Sequence, residues 1–135
     1  MADKKKKAGK ATKKVKAKRR HVPLGNAYVN ASYNNTIITL TEPNGDVLAW
    51  GSSGASGFKG ARKATPYAAQ VSAENAAEKA KVYGLEEVHV FVKGVGSGRE
   101  QAIRGLSAQG INILSISDIT PIPHNGCRKK KQRRV

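Results

Sequence analysis

Positive charge is concentrated at the two ends of this chain, and that segregation limits where a core can form. Residues 1–20 carry 11 basic side chains and one acid (Asp3), and residues 121–135 carry 6 basic side chains and no acid. Between His21 and Thr120, 8 basic and 8 acidic residues cancel. The first 20 residues are Lys, Ala, Gly and Thr with almost nothing to bury, so no hydrophobic contact offsets the entropy of ordering them. The expected organisation is a basic disordered tail over 1–26, one globular domain over 27–120, and an extended basic tail over 121–135. A total charge of +16 on 135 residues suits binding to a polyanion rather than steering of a small metabolite.

Composition removes other classes. No apolar run approaches the roughly 20 residues of a membrane span, and the N-terminus lacks the apolar core of a signal peptide, so the expectation is a soluble, intracellular protein. The single cysteine, Cys127, cannot form an internal disulfide and fits a reducing compartment. With 5% aromatic residues and many Ala and Gly, the core should be thin and tightly packed. The basic N-terminus also has a blander reading, as a solvated solubility or localisation segment.

Periodicity outlines an α/β fold. Val29, Ala31 and Tyr33 alternate with Asn30, Ser32 and Asn34, which predicts a half-buried strand from Ala27. Apolar parity then shifts to Ile38 and Leu40, so Asn34 and Asn35 mark either a bulge or a tight turn. Pro43, Asn44 and Gly45 close a hairpin onto Val47–Trp50. Gly51–Lys63, with four glycines and no period, reads as a long exposed loop. Thr65 and Pro66 are N-cap and first residue of a helix whose Ala69, Ala73, Ala76, Ala77 and Ala80 share one face. Gly84 ends it, and Val88, Val90 and Val92 with Phe91 predict a strand buried on both faces. Gly94–Gly98 leads into a second helix, with Ser97 and Glu100 in capping-box relation and Gly110 as its stop. Ile111, Ile113, Leu114, Ile116 and Ile119 make the last strand. The order predicts a mixed sheet with an antiparallel start and two βα crossovers, a ribonuclease H-like topology.

That topology also occurs in nucleases, which gather carboxylates around two metal ions. Here Glu42, Asp46, Glu74, Glu78, Glu86, Glu87, Glu100 and Asp118 are scattered over turns and helix surfaces, and neither a nucleophile elbow nor a P-loop is present. Catalysis is not expected. His124 and Cys127 have a spacing permissible for zinc, but a structural site takes four ligands and the other histidines are distant. No metal or cofactor is expected, and His124 and Cys127 read as contact residues in a tail that Pro121 and Pro123 keep out of helix.

Nucleic-acid chemistry is better supplied. Lys59, Arg62 and Lys63 in the Gly51–Lys63 loop can neutralise phosphates while its glycines allow close approach of a sugar-phosphate backbone. Phe58 is placed either to stack on a base or to plug the loop into the core. For Trp50 and Tyr33, strand position makes packing the default. Gly94–Gly98, flanked by Lys93, Arg99 and Arg104, reads as a phosphate cradle at a helix N-terminus. Asn125–Gly126 is prone to succinimide formation, because glycine does not hinder attack of its own nitrogen on the Asn125 amide. Its alternative reading is simply a turn.

Four separated segments then carry a resemblance: Ser32–Thr39 (SYNNTIIT), Gly57–Pro66 (GFKGARKATP), Lys93–Glu100 (KGVGSGRE) and Thr120–Arg128 (TPIPHNGCR). Together they resemble the bacterial form of the ribosomal protein eleven family of the small subunit, from about Ala27 to Val135. The resemblance implies an α/β fold of ribonuclease H type and a structural role on the subunit platform in the cytoplasm. It implies bridging of small-subunit ribosomal RNA helices and a share in the cleft for the Shine-Dalgarno region of messenger RNA. Ribosomal proteins seven and eighteen are the implied neighbours, with initiation factor three as a further contact. Val95 stands where the family has proline in the glycine-rich turn, which should loosen it. Lys129 and Lys130 replace prolines and should make the tail less stiff and more cationic.

The residues expected to contact RNA are Asn34, Asn35, Lys59, Arg62, Lys63, Lys93, Arg99, His124, Asn125, Cys127, Arg128, Lys129, Lys130, Lys131, Arg133 and Arg134. The rival class is a free nucleic-acid chaperone or architectural DNA-binding protein. It would share the tails but sediment with chromatin rather than with the small subunit.

Overall fold

The computed structural model describes residues 20–135, so the expected disorder of residues 1–19 lies outside the described residues. Strands β1 (Leu24–Ala31), β2 (Thr36–Thr41) and β3 (Val47–Ser52) form an antiparallel meander. A 3-10 turn (Gly60–Ala64), helix α1 (Pro66–Lys81), β4 (Glu87–Lys93), α2 (Arg99–Ala108) and β5 (Asn112–Asp118) follow. The sheet order is β3-β2-β1-β4-β5, with β4 parallel to both β1 and β5. This is the mixed sheet with an antiparallel start and two βα crossovers that the residue pattern predicts.

Order begins earlier than Ala27. Leu24, Gly25 and Asn26 align with Glu87, Val88 and His89, and the Val22 N–H donates to Tyr83 O at 2.9 Å. Their partner lies far along the chain, so local alternation does not reveal them. The parity change after Ala31 is a tight turn. The Ser32 N–H donates to Asn35 O at 2.8 Å, and the Asn35 N–H donates to Ser32 Oγ at 3.1 Å. At the next corner Gly45 has φ +101° and donates to Glu42 O at 3.0 Å, a geometry glycine adopts without steric cost.

The core is built on small side chains. Thr65 caps α1 by accepting from the Ala68 N–H at 3.3 Å, and Ala69, Ala73, Ala76, Ala77 and Ala80 are fully buried. They pack with Val29, Ile38, Leu40, Val88, Val90, Val92 and Leu106. Burying each Val, Leu or Ile contributes about 1.5–3 kcal/mol. Close approach is enforced at two glycines: a Cβ on Gly51 would sit 2.6 Å from Ser72 O, and one on Gly105 would sit 2.7 Å from Gln70 O. Gly51 therefore belongs to β3 and to the strand–helix contact. The segment read as one structureless loop is a strand end, a tight loop from Ser53 to Lys59 and the 3-10 turn.

Both helices lie on one face of the sheet, α1 over β2 and β3 and α2 over β1 and β4. Among the described residues no element covers the other face, which corrects the expectation of a β4 buried on both sides. Val88, Val90 and Val92 are buried while His89 and Phe91 are only half-buried. Trp50, Thr39, Tyr28, Phe91 and Ser117 form one cross-strand row on this face, with Tyr28 and Phe91 stacked at 5.3 Å. Trp50 is 54% exposed and is not a core residue. Leu114 and Ile116 are exposed too, because β5 is the edge strand of the sheet among the described residues and only Ile113 of it packs against the core.

Candidate nucleic-acid interface

Strand direction gathers the flagged segments at one end of the sheet. β1, β3, β4 and β5 run one way and β2 the other. The Ser32–Asn35 turn, the Ser53–Thr65 loop, the Lys93–Gly98 turn, the start of the C-terminal tail and both helix N-termini therefore all emerge at that end. It carries five cations, Lys59, Arg62, Lys63, Lys93 and Arg99, against two acids, Glu100 in the first turn of α2 and Asp118 at the end of β5. Glu42, Asp46, Glu86 and Glu87 lie at the opposite end, where Arg20 reaches Glu42 at 3.6 Å and Asp46 at 3.5 Å. A body that is neutral in sum is thus polarised in space.

The glycine-rich turn is pinned on both sides. The Gly96 N–H donates to Ala31 O at 2.9 Å, and the Gly94 N–H donates to Thr120 Oγ1 at 3.1 Å. A Cβ on Gly94 would strike Ala31 O, and one on Gly96 would strike Ser32 O. These glycines let the turn press on the β1–β2 corner, and their N–H groups are already used, which removes two donors from the expected phosphate cradle. Nor does Val95 loosen the turn, because its neighbours are anchored. Ser97 is no helix cap: Gly98 is the N-cap, and Ser97 Oγ donates to Ala64 O at 2.7 Å, tying the second helix to the 3-10 turn.

Arg99 has internal partners. Its Nη2 donates to Asp118 Oδ2 at 2.6 Å and its Nη1 donates to Gly94 O at 2.7 Å. Thr120 Oγ1 donates to Asp118 Oδ1 at 2.6 Å, and the Thr120 N–H donates to the same oxygen at 3.0 Å. The Thr120 hydroxyl and the Arg99 guanidinium hold the Asp118 carboxyl far below the usual carboxylate range. Arg99 clasps the turn against the end of β5.

The second cationic group is freer. Gly57, Phe58, Lys59 and Arg62 line a concavity of about 510 Å³. Phe58 meets Tyr67 edge-on at 5.8 Å, so it supports the loop from within while staying half-exposed. Lys59 and Arg62 are exposed and Lys63 is half-buried, with no ion-pair partner among the described residues. Asn34 is exposed, whereas Asn35 Oδ1 accepts from the Thr36 N–H at 2.8 Å. His124, Asn125, Cys127, Arg128, Lys129, Lys130, Lys131, Arg133 and Arg134 are all exposed and outside regular structure. No three His, Cys, Asp or Glu residues come together as a metal cluster among the described residues.

Sequence reasoning missed one feature of this end. A cavity of about 320 Å³ opens between the ends of β1 and β4, bordered by Tyr33, Lys93 and Thr120. Tyr33, assigned by default to packing, is 77% exposed. Its position between Ser32 and Asn34, two turn-forming residues, was the available signal.

Residues 25–134 match the family described as Ribosomal protein S11. A protein named small ribosomal subunit protein uS11c, from Oltmannsiellopsis viridis, is 63% identical over 126 residues, covering 93% of this chain and 95% of that relative.

Proposed function

The chain belongs to the ribosomal protein S11 family, and from that membership we propose that it grips small-subunit RNA with the cationic end of its sheet and its C-terminal tail. Membership makes it a structural, non-enzymatic component of the small ribosomal subunit, with ribosomal RNA and ribosomal proteins as partners. The observation that carries the finer reading is the convergence of three loops and the tail at one end of the sheet, with the acids of the hairpin and of the approach to β4 at the other.

Lys59, Arg62, Lys63 and Lys93 neutralise phosphates beside the sheet, and Arg128, Lys129, Lys130, Lys131, Arg133 and Arg134 neutralise a second stretch. Binding is driven by release of condensed counterions. A-form RNA hides its base edges in a deep groove, so the fit is to shape and backbone. Asn34, Asn35, His124, Asn125 and Cys127 add polar contacts, while Arg99 acts by holding the turn that carries Lys93. Extended, the segment from Ile119 to Val135 reaches about 50 Å, which supports the bridging of more than one RNA helix. Placement beside the Shine-Dalgarno region of messenger RNA, next to ribosomal proteins seven and eighteen and within reach of initiation factor three, is the part of this reading that the family resemblance supports.

Filter binding of the full chain to small-subunit ribosomal RNA tests it. If 6 to 10 phosphates are neutralised, affinity falls about 10³- to 10⁵-fold between 50 and 200 mM salt. A nearly flat salt response overturns the electrostatic grip.

A further inference from the structure

We propose that the cavity between the ends of β1 and β4 receives one unpaired nucleobase of the RNA, stacked on Tyr33, with the adjoining phosphate on Lys93. The proposal rests on the RNA-binding reading above and names what the centre of that surface recognises.

The cavity exists because two parallel neighbours part company. β1 turns within the sheet into β2 through Ser32–Asn35, whereas β4 turns toward the helix face through Lys93–Gly98. A crevice at the carboxyl ends of strands whose connections diverge is where open α/β sheets take ligands. Its volume is about 320 Å³, and Val95 and Pro121 supply apolar walls. Thr120, fixed by Asp118 and Gly94, makes one wall rigid before any ligand arrives.

Tyr33 at the rim is 77% exposed and has no aromatic neighbour among the described residues, so folding does not account for it. Lys93 is exposed and has no acidic partner among the described residues. Asp118, at the end of the neighbouring strand, is paired to Arg99, and neither Glu87 nor Glu100, the carboxylates on either side of Lys93 in the chain, forms an ion pair with it among the described residues. An apolar slot beside an exposed ring and an unpaired cation fits a flat base carrying a phosphate. An apolar peptide side chain would leave Lys93 unanswered. The base must be unpaired, because a base within a duplex offers no free face to a tyrosine.

Filter binding at fixed salt and ultraviolet crosslinking of assembled small subunits test this together. Tyr33→Ala should weaken binding to small-subunit RNA about 5- to 150-fold, the range for losing one stacked base, while Tyr33→Phe retains wild-type affinity. Lys93→Ala should reduce the salt slope by about 1, and Tyr33→Ala should leave it unchanged. Val95→Trp, which fills the cavity and spares the tyrosine, should weaken binding like Tyr33→Ala. It also serves if Tyr33→Ala fails to fold. Crosslinking should attach a nucleotide to the peptide containing Tyr33. Nucleotide adducts on the Lys59–Lys63 peptide and the tail, with none at Tyr33 and no effect of Val95→Trp, overturn the base pocket and leave the RNA grip standing. A protein adduct at Tyr33 overturns it in favour of a peptide occupant. No RNA adduct anywhere, with a flat salt response, overturns the underlying reading itself.

Discussion

Arg99 and Asp118 form a 2.6 Å ion pair that joins the first turn of α2 to the last residue of β5. The same guanidinium holds Gly94 O, and the same carboxylate accepts from Thr120. One pair therefore fixes the glycine-rich turn, the end of the edge strand and the root of the C-terminal tail relative to one another. Both side chains remain partly exposed, at 32% and 53%, so water screens the attraction. Its value lies in placing Lys93 and the tail.

The pair predicts an acid dependence. A carboxyl whose folded pKa lies below its unfolded value stabilises fully above the unfolded pKa of about 3.9. That stabilisation is lost as pH falls toward the depressed folded value. The stability difference between wild type and Asp118→Asn, from urea unfolding, should stay constant between pH 7 and 5 and shrink below about pH 4. A difference indifferent to acid would show that the pair is not formed in solution.

Gly51→Ala and Gly105→Ala should each destabilise by about 1–3 kcal/mol, the usual cost of forcing a methyl into a packed contact. Their Cβ atoms would meet the backbone carbonyls of Ser72 and Gln70. Urea unfolding measures the loss. If Gly51→Ala unfolds like wild type but binds RNA poorly, Gly51 serves the interface rather than the core.

Arg62→Ala combined with Lys63→Ala should reduce the salt slope of RNA binding by about 2 and weaken affinity at low salt, with little change in Tm. The α1 cap survives, because Thr65 Oγ1 donates to the main-chain oxygen of Arg62. Unfolding without a separate loss of binding would make these residues structural.

Asn125 should convert to isoaspartate before Asn44 in aged, unassembled protein. Asn44 is restrained, with Nδ2 donating to Asp46 Oδ2 at 3.1 Å and Gly45 locked in the hairpin. The Asn125 side chain has no hydrogen-bond partner among the described residues and lies in the exposed tail. The product inserts a methylene and a negative charge just before Arg128. Isoaspartate-specific methylation with peptide mapping should label Asn125 first, and equal labelling at both sites would refute control by local restraint.

The features legible before folding are those carried by near neighbours. Thr65 and Pro66 announce the start of α1, alanines three and four apart announce its buried face, Pro43–Gly45 announces a corner, and alternate valines announce β4. In the site, the exposed cations Lys59, Arg62 and Lys93 were legible because nothing in the chain requires their burial. The role of Arg99 was not, since its partner Asp118 comes 19 residues later. Ser97 was misread as a cap because its partner, Ala64 O, is 33 residues earlier.

The sequence by itself therefore determined the charge segregation, the main helices and strands and the Thr65 cap of α1, because each depends on side chains within a turn or two of one another. Tertiary structure alone decided that β1 pairs with β4, that both helices cover one face, that Gly51 faces Ser72, and that the cations and Tyr33 share one end. The physical reason is that these follow from strand order and direction, which are set by burying the alanine and valine faces against each other. A contact between residues dozens of positions apart leaves no mark in local spacing.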